Sequence, residues 1–294
     1  MTVPVTVIES LDEISGRYDV LYCDLWGCLH DGRKAFPAAV QALIRFRESG
    51  GTVVLLTNSP RPSGEITHQL GALQAPPECY DVIASSGDAA QSAMADGRFG
   101  RKVFHLGPER DLPFFADETG TPFDVERVDL DAAEGIVCTG LFDDRSETPE
   151  DYRLTLMRAK QRGLKMLCAN PDIQVDIGDQ RIYCAGALAR LYEEMGGDAF
   201  YFGKPHPPIY DLARRRAESV RGESVADAAI LCIGDGIATD IQGGMSEGLD
   251  TLFVTGGLAA EETGTVDGTP DPELTAAYLA GAMLSPTAVI GRLR

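Results

Sequence analysis

The sequence lacks any long basic tract. Twenty-six Lys and Arg face 45 Asp and Glu, a net charge of −19. The longest basic run is Arg214-Arg215-Arg216, inside a helix-like stretch where a solvated face accounts for it. Nucleic acid and anionic membranes both recruit proteins through positive surface, so neither is expected as a partner. No apolar run approaches the ~18 residues of a membrane helix. The opening Met1–Ser10 has no basic n-region, so a secretory leader is not expected and the cytoplasm is the expected location. Cysteines number seven, an odd count with no C-x-x-C pair. Neither a disulfide framework nor a zinc site is expected from that pattern. Cys-x5-Arg chemistry fails on spacing, because Lys34 and Asp144 stand where arginine would follow Cys28 and Cys138. Tryptophan occurs once, as Trp26.

That tryptophan lies in the stretch around which the chain is organised, Tyr18 to Gly32. An apolar, β-prone run ends in Asp24, followed by Leu25, Trp26 and Gly27. In an open parallel sheet, ligands bind outside the carboxyl ends of the strands, so a carboxylate there faces the crevice. With 294 residues and 44% apolar content, one large or two moderate domains are expected. Pro37 opens and Gly50-Gly51 closes a helix. Thr52–Asn58 reads as a buried parallel strand, a helix passes through Ile66, Leu70 and Leu73, and Tyr80–Ala84 is a strand. This βαβαβ order predicts a doubly wound α/β sheet.

The pattern restarts near Ser86, with strands at Val103–Leu106, Gly135–Thr139 and Leu164–Cys168. The last ends in Ala169-Asn170-Pro171-Asp172, and an irregular, hairpin-like segment reaches Cys184. Phe200–Phe202 and Ala229–Ile233 then read as a return to the first sheet. The expected organisation is a core of residues 1–86 and 181–294, interrupted by an inserted α/β domain over 87–180.

Four strand ends carry polar groups in order: Asp24; Thr57-Asn58; Lys204; Asp235 with Asp240. Each alone has an ordinary reading as a turn or a helix entry. Together they supply what phosphoryl transfer needs: a carboxylate to attack phosphorus, a cation site, and donors for phosphate oxygens. Asp24 and Asp235 would hold Mg²⁺, which prefers oxygen ligands. A strongly acidic protein that handles an anion needs such a cation.

These stretches, Asp24-Leu-Trp-Gly, Leu56-Thr57-Asn58, Gly203-Lys204-Pro205 and Gly234-Asp235-Gly236-Ile-Ala-Thr-Asp240, resemble the four motifs of the haloacid dehalogenase superfamily, in order, over about residues 18–255. The insert between the second and third motifs resembles that of the NagD-type branch (subclass IIA), a group of Mg²⁺-dependent phosphatases of small phosphomonoesters. The resemblance implies a Rossmann-like core with an inserted cap and a homodimer through the cap. It implies Asp24 as nucleophile, with Asp24, the Trp26 carbonyl and Asp235 around the metal. Asp240, counted with the metal group, would orient Lys204 or a metal-bound water. Thr57, Asn58 and Lys204 would bind phosphoryl, and Asn170 and Asp172 in the cap would meet a small phosphorylated metabolite such as a sugar phosphate or nucleotide. Trp26 departs from the pattern, because the family's phosphatases carry a second Asp there as general acid and base. His30 and Asp31 are the nearby residues that could replace it. Metal-independent C–halogen hydrolysis and a catalytically weakened phosphate-binding protein are the alternative functions.

Overall fold

Continuous apolar runs become parallel strands buried on both faces, as strands covered by helices on each side require. The computed structural model describes residues 5–117, 119–177 and 180–294. Met1–Pro4 of the opening segment, and Gly178 and Asp179 of the hairpin-like segment, lie outside the described residues. In chain order the strands are β1 (Val20–Cys23), β2 (Thr52–Thr57), β3 (Val82–Ser85), β4 (Lys102–Leu106), β5 (Glu126–Arg127) and β6 (Gly135–Cys138). They continue with β7 (Lys165–Cys168), β8 (Gln174–Ile177), β9 (Gln180–Tyr183) and β10 (Asp198–Tyr201). The last three are β11 (Ile230–Gly234), β12 (Asp250–Val254) and β13 (Ala288–Ile290).

One sheet has the order β13-β12-β11-β1-β2-β3 and another β10-β7-β6-β4-β5, while β8 and β9 form a two-stranded antiparallel hairpin. β1 pairs in parallel with both β11 and β2, at the centre of the first sheet. Every residue of β1, β2 and β11 is buried. The chain forms two compact units, residues 1–57, 67–84 and 210–294, and residues 58–66 and 85–209. The α/β class with a doubly wound core and an inserted α/β cap is therefore as the sequence implies.

Two local expectations change. The strand expected at Phe200–Phe202 in the first sheet is β10, and it pairs in parallel with β7 in the second. The helix Ala185–Glu194 before it buries Ala185, Leu188, Ala189, Leu191 and Tyr192 in the same cluster as Ile136, Met166 and Cys168. That buried face carries the chain back onto the second sheet, so this unit runs to Ile209 rather than ending near residue 180. At the other end, β13 adds a short parallel edge strand against β12, where no strand was expected.

The helix boundaries follow ordinary chemistry. Pro37 opens the helix Pro37–Glu48 at a position whose N–H has no partner within the helix anyway. Thr148 and Asp151 form a reciprocal cap, with the Thr148 N–H donating to Asp151 Oδ2 at 2.8 Å. All seven cysteines are free thiols and all are buried. Among the described residues, no helix is long and apolar enough to cross a membrane.

Candidate active site

Strand register does most of the placing in the first unit. Cys23 is level with Ile233 on β11 and with Leu55 on β2. Asp24 follows Cys23, while Asp235 and Thr57 lie two residues past those partners. All three thus emerge at the carboxyl ends of adjacent central strands. The Asp24 N–H still donates to the Ile233 carbonyl at 2.9 Å, so β1 is held straight up to its last residue. Beyond Asp24 the chain doubles back tightly. Leu29 and His30 donate to the Leu25 carbonyl, and the Gly27 N–H donates to the His30 carbonyl at 2.9 Å.

This loop delivers a third group. A carboxylate oxygen of Asp24, one of Asp235 and the Cys28 sulfur all lie within 4.8 Å of one another, and all three residues are buried. Two unit charges no more than 4.8 Å apart repel by at least roughly 3.5 kcal/mol at an effective dielectric of about 20. A divalent cation between the carboxylates removes that cost, so the donor set fits a metal. Burial first, and then the charges of Asp235 and Asp24, push the Cys28 thiol well above its ordinary range.

Asp235 is held by close backbone approach on two sides. Leu258 donates its N–H to Asp235 Oδ2 at 3.0 Å. Gly27 has φ +72°, and a Cβ there would come within 2.0 Å of the same oxygen, so only glycine fits both the turn and the approach. A Cβ on Gly257 would meet Asp235 Oδ2 equally closely. Asp240 lies outside the converging trio. Its Oδ2 accepts from the Gly236 N–H at 3.1 Å and from the Thr239 hydroxyl at 3.2 Å, pinning the π-turn Ile237–Ile241 that follows β11. Thr57 is buried at the end of β2.

Trp26 is half-buried and packs within the loop. Its ring meets His30 edge-on at 5.2 Å, and a Cβ on Gly32 would strike the indole. His30 is buried, and its Nδ1 accepts the Gly32 N–H at 3.1 Å. Desolvation lowers its pKa to about 4, so the imidazole is neutral at pH 7. Asp31 is exposed, and the backbone N–H groups of Lys34 and Arg33 hold its carboxyl below the usual range. Both shifts run away from neutrality, where a general acid works best.

Asn58, Asn170, Asp172 and Lys204 lie in the second unit, where they form one network. Asn58 Oδ1 accepts the Lys204 N–H at 2.7 Å, and Asn58 Nδ2 donates to the Lys204 carbonyl at 3.0 Å. The side-chain amide thus pairs with Lys204 as a neighbouring strand would. Nδ2 also donates to Asp172 Oδ1 at 2.8 Å, and the Asp172 N–H donates to Asn170 Oδ1 at 3.0 Å. Gly203 makes the approach feasible, since a Cβ there would lie 2.4 Å from Asn58 Oδ1 and 2.7 Å from Pro171 Cδ. Lys204 is almost wholly buried.

Two features that border Asp235 were missed in the sequence. Cys28 was set aside with the other cysteines, although its place four residues after Asp24 in a glycine-containing turn was a usable signal. The other is the stretch Gly257-Leu258, which no sequence motif marks and which holds Asp235.

The chain matches the family described as haloacid dehalogenase-like hydrolase over residues 21–120, and a HAD-hydrolase-like family over residues 201–282. A solved hydrolase of the haloacid dehalogenase-like family from Brucella suis 1330 is 44% identical, with a TM-score of 0.86, over 98% of this chain and 100% of that one. The chain belongs to the haloacid dehalogenase-like family. Among its relatives, the 5'-nucleotidase YutF of Bacillus subtilis is 27% identical over 83% of this chain and 90% of its own length. The ribonucleotide monophosphatase NagD of Escherichia coli K12 is 27% identical over 81% of this chain and 88% of its own. The chain is a haloacid dehalogenase-like hydrolase of the NagD type, as the four motifs implied.

Proposed function

We propose that this hydrolase is a phosphatase that cleaves small phosphomonoesters, such as a sugar phosphate or a nucleotide, with Asp24 as nucleophile. The observation that carries this reading is the convergence of Asp24 and Asp235 at the ends of the paired central strands β1 and β11. The curated relatives, named as a nucleotidase and a nucleotide monophosphatase, support the substrate class. A divalent cation belongs with this donor set, and we take it to be Mg²⁺, held by Asp24, Asp235 and the Trp26 carbonyl. When bound, the cation neutralises phosphoryl oxygens and lets a carboxylate approach phosphorus.

The chain's own groups do the rest. Asp24 attacks phosphorus, the ester oxygen leaves, and the aspartyl phosphate is then hydrolysed by water. Thr57 and Lys204 bind phosphoryl oxygens. Asn58 acts through Lys204, fixing the lysine's backbone by hydrogen bonds at its N–H and carbonyl. Asp240 fixes the turn that presents Asp235. Asn170 and Asp172 brace Asn58, and substrate contact is a further role we assign to the Asn170–Asp172 loop. With tryptophan at the usual acid position, the leaving group gains no proton from residue 26, so turnover favours esters whose alcohols leave as stable anions. Seven reduced, buried thiols suit the cytoplasm.

The test is phosphate release from a panel of phosphomonoesters with Mg²⁺ and with EDTA, and halide release from 2-haloacids in parallel. Mg²⁺-dependent phosphate release that Asp24→Asn abolishes in a folded protein is the expected result. Near-native turnover by Asp24→Asn, halide release without metal, or binding without turnover each overturns it.

A further inference from the structure

The thiol at the cation site has no use in phosphatase chemistry as described, and its surroundings differ from those of three other thiols in the chain. Cys23, Cys138 and Cys168 direct their sulfurs at the carbonyls of Asp24, Gly140 and Asn170. The Cys28 thiol has no hydrogen-bond partner among the described residues, is 1% exposed, and stands against two carboxylates. A buried thiol that converges with a pair of buried acids within 4.8 Å completes a donor set able to hold a cation.

We propose that Cys28 is a ligand for thiophilic divalent cations such as Zn²⁺, Co²⁺ and Cd²⁺ at the Asp24–Asp235 site, which makes this site bind such ions in place of Mg²⁺. The proposal rests on reading Asp24 and Asp235 as the cation site. Metal–sulfur bonds of about 2.3 Å and metal–oxygen bonds of about 2.0–2.2 Å place donors of one shell roughly 3.3–4.3 Å apart. A trio within 4.8 Å closes on one ion with shifts of about half an ångström. On binding, the S–H bond breaks, a metal–sulfur bond forms and the proton leaves to solvent. Mg²⁺ gains little from sulfur and prefers oxygen ligands, so the same site discriminates by softness. Free soft cations would then compete with Mg²⁺ for the site.

The test is a Co²⁺ titration of the metal-stripped full-length protein, followed by the near-ultraviolet sulfur-to-cobalt charge-transfer absorption. Zn²⁺ affinity is measured against a chromophoric chelator and Mg²⁺ affinity by calorimetry. The sulfur band should appear at one equivalent in the native chain and vanish in both Cys28→Ala and Cys28→Ser. Zn²⁺ affinity should drop by at least about tenfold in these variants, while Mg²⁺ affinity moves by less than about threefold. Cobalt binding without the band, or a band that survives in Cys28→Ala, overturns the role of Cys28 alone. An Asp235→Asn variant that binds Co²⁺ and Mg²⁺ like the native chain overturns the cation site itself, and Cys28 with it.

Discussion

Replacing Asn58 by Asp tests the network around Lys204 with almost no change of shape. Oδ1 can still accept the Lys204 N–H, but the two bonds donated by Nδ2 are lost. The new oxygen faces Asp172 Oδ1 where the amide nitrogen stood 2.8 Å away. Two unit charges at 2.8 Å repel by roughly 6 kcal/mol at an effective dielectric of about 20. The folded variant has a cheaper escape, which is to keep one proton between the two carboxyls. Holding a carboxyl of ordinary pKa ~3.9 protonated at pH 7 costs about 4 kcal/mol, at 1.36 kcal/mol per unit. Proton uptake wins, so Asn58→Asp should lose about 4 kcal/mol at pH 7. The sign follows directly. The folded pair binds a proton that the unfolded chain has released, so stability falls as pH rises above ~4. At pH 5 the loss should shrink to about 1.5 kcal/mol. Urea unfolding of both proteins between pH 5 and 8, followed by circular dichroism, measures this difference. Adding Asp172→Asn should remove most of the pH dependence, because an amide again faces the carboxylate. An Asn58→Asp protein whose deficit stays constant within about 0.5 kcal/mol across that range would refute the shared-proton argument.

Trp26→Asp supplies a carboxyl at the family's acid position. Turnover on an alkyl phosphate should rise by up to about 10²-fold, while a nitrophenyl ester, whose leaving group needs no proton, changes by less than about threefold. Unchanged alkyl turnover in a folded variant would point to another proton donor. Losing the indole from its seat over Gly32 and against His30 also lowers the melting temperature, so melting is recorded alongside. Asp235→Ala should weaken Mg²⁺ binding far more than Asp240→Ala, since Asp240 braces the turn and stays outside the trio. Calorimetric titrations that give equal affinities would contradict this division of labour.

The strand ends were legible because each coincides with a change of chemistry in the sequence. An apolar β-branched run stops, and a carboxylate, hydroxyl or lysine beside glycine begins. Periodicity reports that a strand exists but not which sheet receives it, which is why β10 was expected beside the wrong neighbours. Its partner is decided by the helix Ala185–Glu194, whose buried face is visible only against β6 and β7. Long-range polar pairing was equally hidden. Asn58 meets Asp172 and Lys204 across 114 and 146 residues, and nothing local to Thr57-Asn58 distinguishes a phosphate ligand from a backbone staple. Spacing rules weigh Cys28 only against arginine or partner cysteines, whereas its neighbours here are carboxylates drawn from two strands.

The burial of every thiol turns the chain into its own recorder of local opening. Cys23, Cys28, Cys79 and Cys232 belong to the first compact unit, and Cys138, Cys168 and Cys184 to the second. An alkylating reagent can reach any of them only while the surrounding structure is transiently breached. Brief labelling pulses, read peptide by peptide in a mass spectrometer, would therefore time the breathing of each unit separately without an added probe. Within the second unit, Cys138 and Cys168 sit level on the adjacent strands β6 and β7. Their labelling in step would mark that pair of strands as a single cooperative leaf, and labelling of Cys184 ahead of both would mark the entry to its helix as the hinge that gives way first.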